Sequence, residues 1–137
     1  MPSSGRRMGR ILVVEDEGDL SLLLQARLEA AGYEVHIEPL GSVGVEYAIE
    51  HHPSLVILDV RLPDLHGFEV CRQLRLRYNH EELPVLMFTV MDGPVDDIHG
   101  LIAGANAYLP KACHPAELLS AVERLLHGEE VAVGARF

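Results

Sequence analysis

Apolar residues in this chain fall into two kinds of run. Ile11-Leu12-Val13-Val14, Leu55-Val56-Ile57-Leu58 and Val85-Leu86-Met87-Phe88 are short and unbroken by polar residues. Continuous runs of that length, rich in β-branched residues, read as strands covered on both faces. Other segments repeat at helical spacing. Leu20, Leu23, Leu24, Leu28 and Ala31 form one such face, and Gly32 then stops the helix. Leu118, Leu119, Val122, Leu125 and Leu126 form another, opened by Pro115 in the first turn, where a missing donor costs nothing. The whole pattern predicts strands near 10–14, 34–38, 54–59, 84–88 and 106–109. Helices are expected near 17–31, 42–51, 66–78, 94–104 and 115–127. Strict alternation of the two implies an α/β fold with a parallel sheet and right-handed crossovers.

Polar residues appear where the strands end. The third run stops abruptly at Asp59, and Pro63 and Gly67 then mark a loop. In an open α/β sheet the C-terminal strand ends are where ligands sit. A carboxylate there serves as metal ligand, nucleophile or both, or else as a helix cap or a solvated loop charge. The first run ends in Glu15-Asp16-Glu17. Three consecutive acids repel one another unless a cation joins them, and oxygen ligands without a nearby thiol suit Mg2+. Acids also favour the first turn of a helix, which Glu17 and Asp19 can serve while Glu15 and Asp16 face the site. The fourth run ends at Thr89, and Asn106 to Leu109 leads into Pro110-Lys111. Lys111 is the only lysine, the other ten of 11 cationic residues being arginine. An ammonium is a compact point charge and a guanidinium a planar fork, so a tight oxyanion site selects lysine.

Composition narrows the field. The 137 residues suffice for one domain with a sizeable core, and 48 % hydrophobic content argues against disorder. No apolar run approaches a membrane span, and residues 1–9 lack the apolar stretch of a signal peptide. Cys71 and Cys113 do not make a disulfide framework and read as reduced thiols in a cytoplasmic protein. A net charge of −10 argues against a direct grip on nucleic acid. His51-His52, before Pro53, reads as a solvated helix end and not a metal site.

Glu15-Asp16, Asp59, Thr89, Tyr108 and Lys111, with the Leu62-Pro63 to Gly67 loop and the Gly100-Leu101 to Gly104-Ala105 segment, resemble the receiver domain of two-component response regulators. The spacings fit: 43 residues from Asp16 to Asp59, 30 to Thr89 and 22 to Lys111. The resemblance covers residues 10–127, between a loose leader at 1–9 and a tail or linker stub at 128–137. It implies a five-stranded, flavodoxin-like doubly wound sheet in the order 2-1-3-4-5.

It also implies roles. Asp59 is the expected phosphoacceptor, charged by the phosphohistidine of a histidine kinase or phosphotransfer protein. Mg2+ is the expected cofactor, held by Asp16, Asp59 and the Arg61 backbone carbonyl, with Glu15 acting mostly through water. Lys111 and Thr89 are expected on the phosphoryl oxygens. Thr89 and Tyr108 are the expected switch pair, with readout and a homodimer contact on the 92–127 face. Direct nucleic-acid and membrane contacts are not expected. The chain is thus read as a signalling switch rather than an enzyme. It stands alone or is a module cut from a transcription factor or hybrid kinase. Arg61 and Met91, two residues beyond Asp59 and Thr89, are poor at orienting water, so slow dephosphorylation is expected.

Two positions depart from the family pattern. Val90 stands where a small residue is usual, and Ala112 where proline follows the lysine. Two rivals share the strand-tip logic. A flavodoxin-like electron carrier needs a phosphate-binding loop after the first strand, and Glu15-Asp16-Glu17-Gly18-Asp19 would repel a phosphate there. A haloacid-dehalogenase-like phosphatase needs a second Asp where Arg61 stands.

Overall fold

The computed structural model describes residues 9–90, 103–129 and 131. Its strands are β1 (Arg10–Val14), β2 (Glu34–Glu38), β3 (Leu55–Leu58), β4 (Val85–Thr89) and β5 (Ala107–Pro110). Its helices are α1 (Gly18–Ala30), α2 (Gly41–His51), α3 (Gly67–Arg75) and α4 (Pro115–Leu126). All strand pairings are parallel, in the order β2-β1-β3-β4-β5. The helix expected at 94–104 lies outside the described residues up to 102. So do residues 1–8 of the leader and residues 130 and 132–137 of the tail.

Strand residues alternate between the two faces of the sheet. Leu12, Val14, Val56, Leu58, Val85 and Met87 pack beneath Ala48, Val70 and Leu74 of α2 and α3. Ile11, Val13, Leu55, Ile57, Leu86 and Phe88 pack beneath Leu24, Leu28, Leu118 and Val122 of α1 and α4. The central strands β1, β3 and β4 are thus covered on both sides, as their unbroken apolar runs require. The edge strand β2 is only half-buried along its length.

Several expectations shift by a turn or a face. Helix α1 buries Ser21, Leu24 and Leu28, while Leu23 and Ala31 of the expected stripe are exposed. Gly32, at φ +103°, does end that turn, as Tyr33 N–H reaches back to the Leu28 carbonyl at 3.1 Å. Helix α3 stops three residues before the expected 78, its last turn closing with Arg77 and Tyr78 N–H both on the Leu74 carbonyl, and the Arg75 side chain reaches the carbonyls that follow. In α4, Ala121 is buried and Leu119 and Leu126 are only half-buried. Strand β5 begins one residue late, because Asn106 spends its side chain on Val85 N–H and Arg75. It runs on through Pro110, which an edge strand tolerates.

Candidate functional site

Four side chains, Glu15, Asp16, Asp59 and Lys111, meet at the C-terminal edge of the sheet. Backbone hydrogen bonds carry the ladder one step past the strands. Glu15 N–H donates to the Glu38 carbonyl at 3.1 Å, and Asp59 N–H to the Val14 carbonyl at 3.0 Å. Glu15 and Asp59 therefore leave β1 and β3 side by side, both almost fully buried. Carboxylate oxygens of Glu15, Asp16 and Asp59 all come within 4.8 Å of one another, Asp16 being the exposed member. Lys111 closes the cluster from β5. Its Nζ lies 3.0 Å from Glu15 Oε1 and 3.1 Å from Asp59 Oδ2. Its backbone N–H donates to the Thr89 carbonyl at 2.9 Å, which locks the β4 and β5 ends together.

The electrostatics of the cluster are unequal. Burial pushes the Glu15 carboxyl above its ordinary range, against hydrogen bonds from Glu17 N–H and Lys111 that pull it down. Burial lowers Lys111, but its hydrogen bonds to Glu15 and Asp59 outweigh that and hold it above the ordinary lysine range. The ammonium is therefore firmly charged, while the buried Glu15 carboxylate remains under-compensated. Three oxygen donors, with one of them costly to ionise, suit a hard divalent cation. The acidic pocket is of the kind in which receiver domains use Mg2+.

Thr89 is buried at the end of β4, two residues beyond Met87 and on the same face. Tyr108 pairs with Met87 in register and is fully buried, packed in the cluster beneath α2 and α3. Val90 is well exposed, so it does not fill the pocket. The Lys111–Ala112 peptide is trans. Met91 lies outside the described residues.

The loop after Asp59 is built more tightly than the sequence suggests. Arg61 N–H donates to Asp59 Oδ1 at 3.3 Å, and Arg61 and His66 form an antiparallel bridge. Gly67 N–H donates to the Val60 carbonyl at 2.6 Å, and a Cβ on Gly67 would collide with the Asp59 carbonyl. Asp64, at the loop tip, accepts from Gly41 N–H (2.7 Å), Ser42 N–H (3.0 Å) and Ser42 Oγ (2.7 Å). These bonds, the Ser42 hydroxyl first, hold its carboxyl well below the usual range. Sequence reasoning missed Asp64. The available signal was a helix start, Leu40-Gly41-Ser42, with no capping side chain of its own.

A family model described as response regulator receiver domain matches residues 11–123. This chain belongs to the response regulator receiver family. The receiver is 43 % identical over 118 residues to the uncharacterized transcriptional regulatory protein YkoG of Bacillus subtilis, covering 86 % of this chain and 51 % of that one. It is 40 % identical over 123 residues to the alkaline phosphatase synthesis transcriptional regulatory protein PhoP of the same organism, covering 90 % and 50 %. The chain thus spans about half the length of these curated relatives. The BeF3-activated N-terminal receiver domain of Klebsiella pneumoniae RstA superposes with a TM-score of 0.81 at 32 % identity, covering 85 % of this chain and 97 % of that one. The Vibrio cholerae chemotaxis protein CheY4 gives 0.79 at 29 %, covering 86 % and 98 %.

The receiver is therefore a signalling switch of two-component systems, on the doubly wound sheet in the order expected. The electron-carrier and phosphatase readings fall with that membership. Among the described residues, no helix is long and apolar enough to cross a membrane.

Proposed function

We propose that Asp59 is the phosphoacceptor of this receiver, charged from the phosphohistidine of a sensor kinase or phosphotransfer protein. The observation that carries this is Lys111 Nζ, held between Glu15 and the Oδ2 atom of Asp59. In the transfer, an Asp59 oxygen forms a new O–P bond as the N–P bond of phosphohistidine breaks, and the imidazole leaves. Such a loose transfer needs alignment and charge cancellation more than acid-base work. Arg61 N–H fixes the carboxylate through Oδ1, and Oδ2 faces the cation that has to follow the incoming charge. Lys111 then exchanges carboxylate partners for a phosphoryl oxygen. Glu15, Asp16, Asp59 and the Arg61 carbonyl are the groups that would hold Mg2+, whose role is to neutralise phosphoryl charge.

The Thr89 hydroxyl would hydrogen-bond the phosphoryl once it is present. Tyr108 shares its face and is buried in this structure, so phosphorylation would raise the population of that buried arrangement. Readout and homodimer contact on the 92–127 face follow in this reading. Arg61 supports slow dephosphorylation, since a guanidinium only donates and cannot act as a base toward water. We assign the leader to 1–9, the receiver to 10–127 and the tail to 128–137, acting in the cytoplasm. A second reading, a receiver module of a larger transcriptional regulator, is favoured by relatives of which this chain spans about half. Nucleic-acid binding would then belong to the remainder of such a protein, since these residues carry a net charge of −10.

Intact-mass analysis after treatment with acetyl phosphate and Mg2+ tests the assignment. One added phosphoryl is expected on the native protein and none on Asp59→Ala. An adduct that persists in Asp59→Ala, or forms equally in EDTA, rules it out.

A further inference from the structure

We infer that Asp64 is a positioning residue for the phosphotransfer site, acting through the loop it clamps; this rests on the function proposed above. Helix α2 begins at Gly41, and its own flanking residue Leu40 supplies no side-chain cap. The exposed N–H groups of its first turn are instead satisfied from 22 and 23 residues away, by both oxygens of Asp64. The Ser42 hydroxyl adds a third donor. A carboxylate on a helix N-terminus also meets the positive end of the helix dipole, so the contact is charge-assisted.

The clamp is placed where it controls the site. Asp64 is the tip of a closed turn, since Arg61 and His66 pair across its base. Arg61 in turn holds Asp59 Oδ1 and offers the carbonyl proposed for the metal. A shift of the tip therefore moves Arg61 against a fixed Asp59, which β3 and the Val14 carbonyl hold in place. The docking is close. A Cβ on Gly41 would stand 2.7 Å from Val70 Cγ2 of α3 and 3.1 Å from Leu65 Cβ of the turn, so a side chain there would press on both. Asp64 itself touches none of the reacting groups, and its effect passes through Arg61.

The test is the Mg2+ dependence of acetyl phosphate uptake, followed by intact mass, together with calorimetric Mg2+ titration and thermal melting. Asp64→Ala should raise the Mg2+ concentration for half-maximal uptake by on the order of tenfold, the scale seen when a group orienting a metal ligand is lost. Ser42→Ala, which removes one of three donors, should move it the same way by less. Asp64→Asn keeps an acceptor and the side-chain shape, and should recover part of the loss. Asn79→Ala is the control, because Asn79 Oδ1 caps Glu81 and Glu82 N–H at the opposite end of the sheet. It should lower melting without moving the Mg2+ requirement. If Asp64→Ala only lowers melting as Asn79→Ala does, with Mg2+ half-saturation unchanged, Asp64 is merely structural and the inference is overturned. If the native protein accepts no phosphoryl group, the phosphoacceptor reading fails. Calorimetry then still judges Asp64 by the Mg2+ affinity of Asp64→Ala, and a native protein that binds no Mg2+ overturns both.

Discussion

Two desolvated cations sit at opposite ends of the same sheet, and they are built differently. At the C-terminal edge, Lys111 bridges two carboxylates, Glu15 and Asp59, with one ammonium. At the N-terminal edge, Arg75 spreads its planar fork over neutral oxygens. It donates to the carbonyls of Gly104 (2.8 Å) and Leu83 (2.9 Å) and to Asn106 Oδ1 (2.7 Å), with longer contacts to Tyr78 and Asn79. Burial pulls the guanidinium below its ordinary range, with no carboxylate among those partners to restore it. The arginine ties α3 to the starts of β4 and β5 and has no reason to let go. In the proposed transfer the lysine's carboxylates pass to other ligands, so its contacts are the exchangeable ones. One end of the sheet is a staple and the other a poised site.

The contrast predicts separable losses. Arg75→Ala strands several carbonyls and should cost about 3 kcal/mol. That corresponds to a melting drop of roughly 10 °C. Phosphoryl uptake per folded molecule, read at low temperature, should stay nearly native. Lys111→Arg should do the reverse. Thermal melting should hardly change, because the residue lies at a strand tip. Uptake should fall on the order of a hundredfold, since a displacement of about 1 Å costs that much in a positioned reaction. Native-like uptake by Lys111→Arg would show that point charge and fork are equivalent here, and the contrast would collapse.

A smaller effect sharpens the poised end. Because burial raises Glu15, its protonated form favours the fold. That stabilisation is complete below its ordinary 4.5 and is lost as pH rises through the elevated value. At neutral pH, metal-free Glu15→Gln should therefore melt slightly higher than the native protein, by less than about 1 kcal/mol equivalent. Mg2+ should reverse the order, because only the native carboxylate gains from the metal. Melting curves in EDTA and in Mg2+ give both signs. Asp64 behaves oppositely with pH. Its lowered carboxyl stabilises the fold above the ordinary 3.8, and the contribution disappears as pH falls through its lower folded value.

The same contrast explains what the sequence disclosed. The strand-tip placement of Asp59, Thr89 and Lys111 was legible because each ends an apolar run. The central strands were legible because burial on both faces leaves no polar interruption. Arg75, Asn106 and Asp64 were not. Each acts across 20 or more residues through a single side chain, on backbone groups whose need shows only once the chain is folded. Helical spacing over 66–78 also continues past Arg75, where α3 ends. The face of α1 was misjudged for a related reason. Leu22, Leu23 and Leu24 are consecutive leucines, and periodicity alone does not say that Ser21, Leu24 and Leu28 are the buried set.

The most direct measurement is the chemical identity of the modified residue. Borohydride reduces an acyl phosphate on aspartate to homoserine, and peptide mass spectrometry then locates it. After treatment with acetyl phosphate and Mg2+, homoserine should appear at Asp59, in the tryptic peptide ending at Arg61, and should vanish when EDTA replaces the metal. Reduction at Glu15 or Asp16 instead, or a phosphoryl group stable to borohydride, would contradict the account.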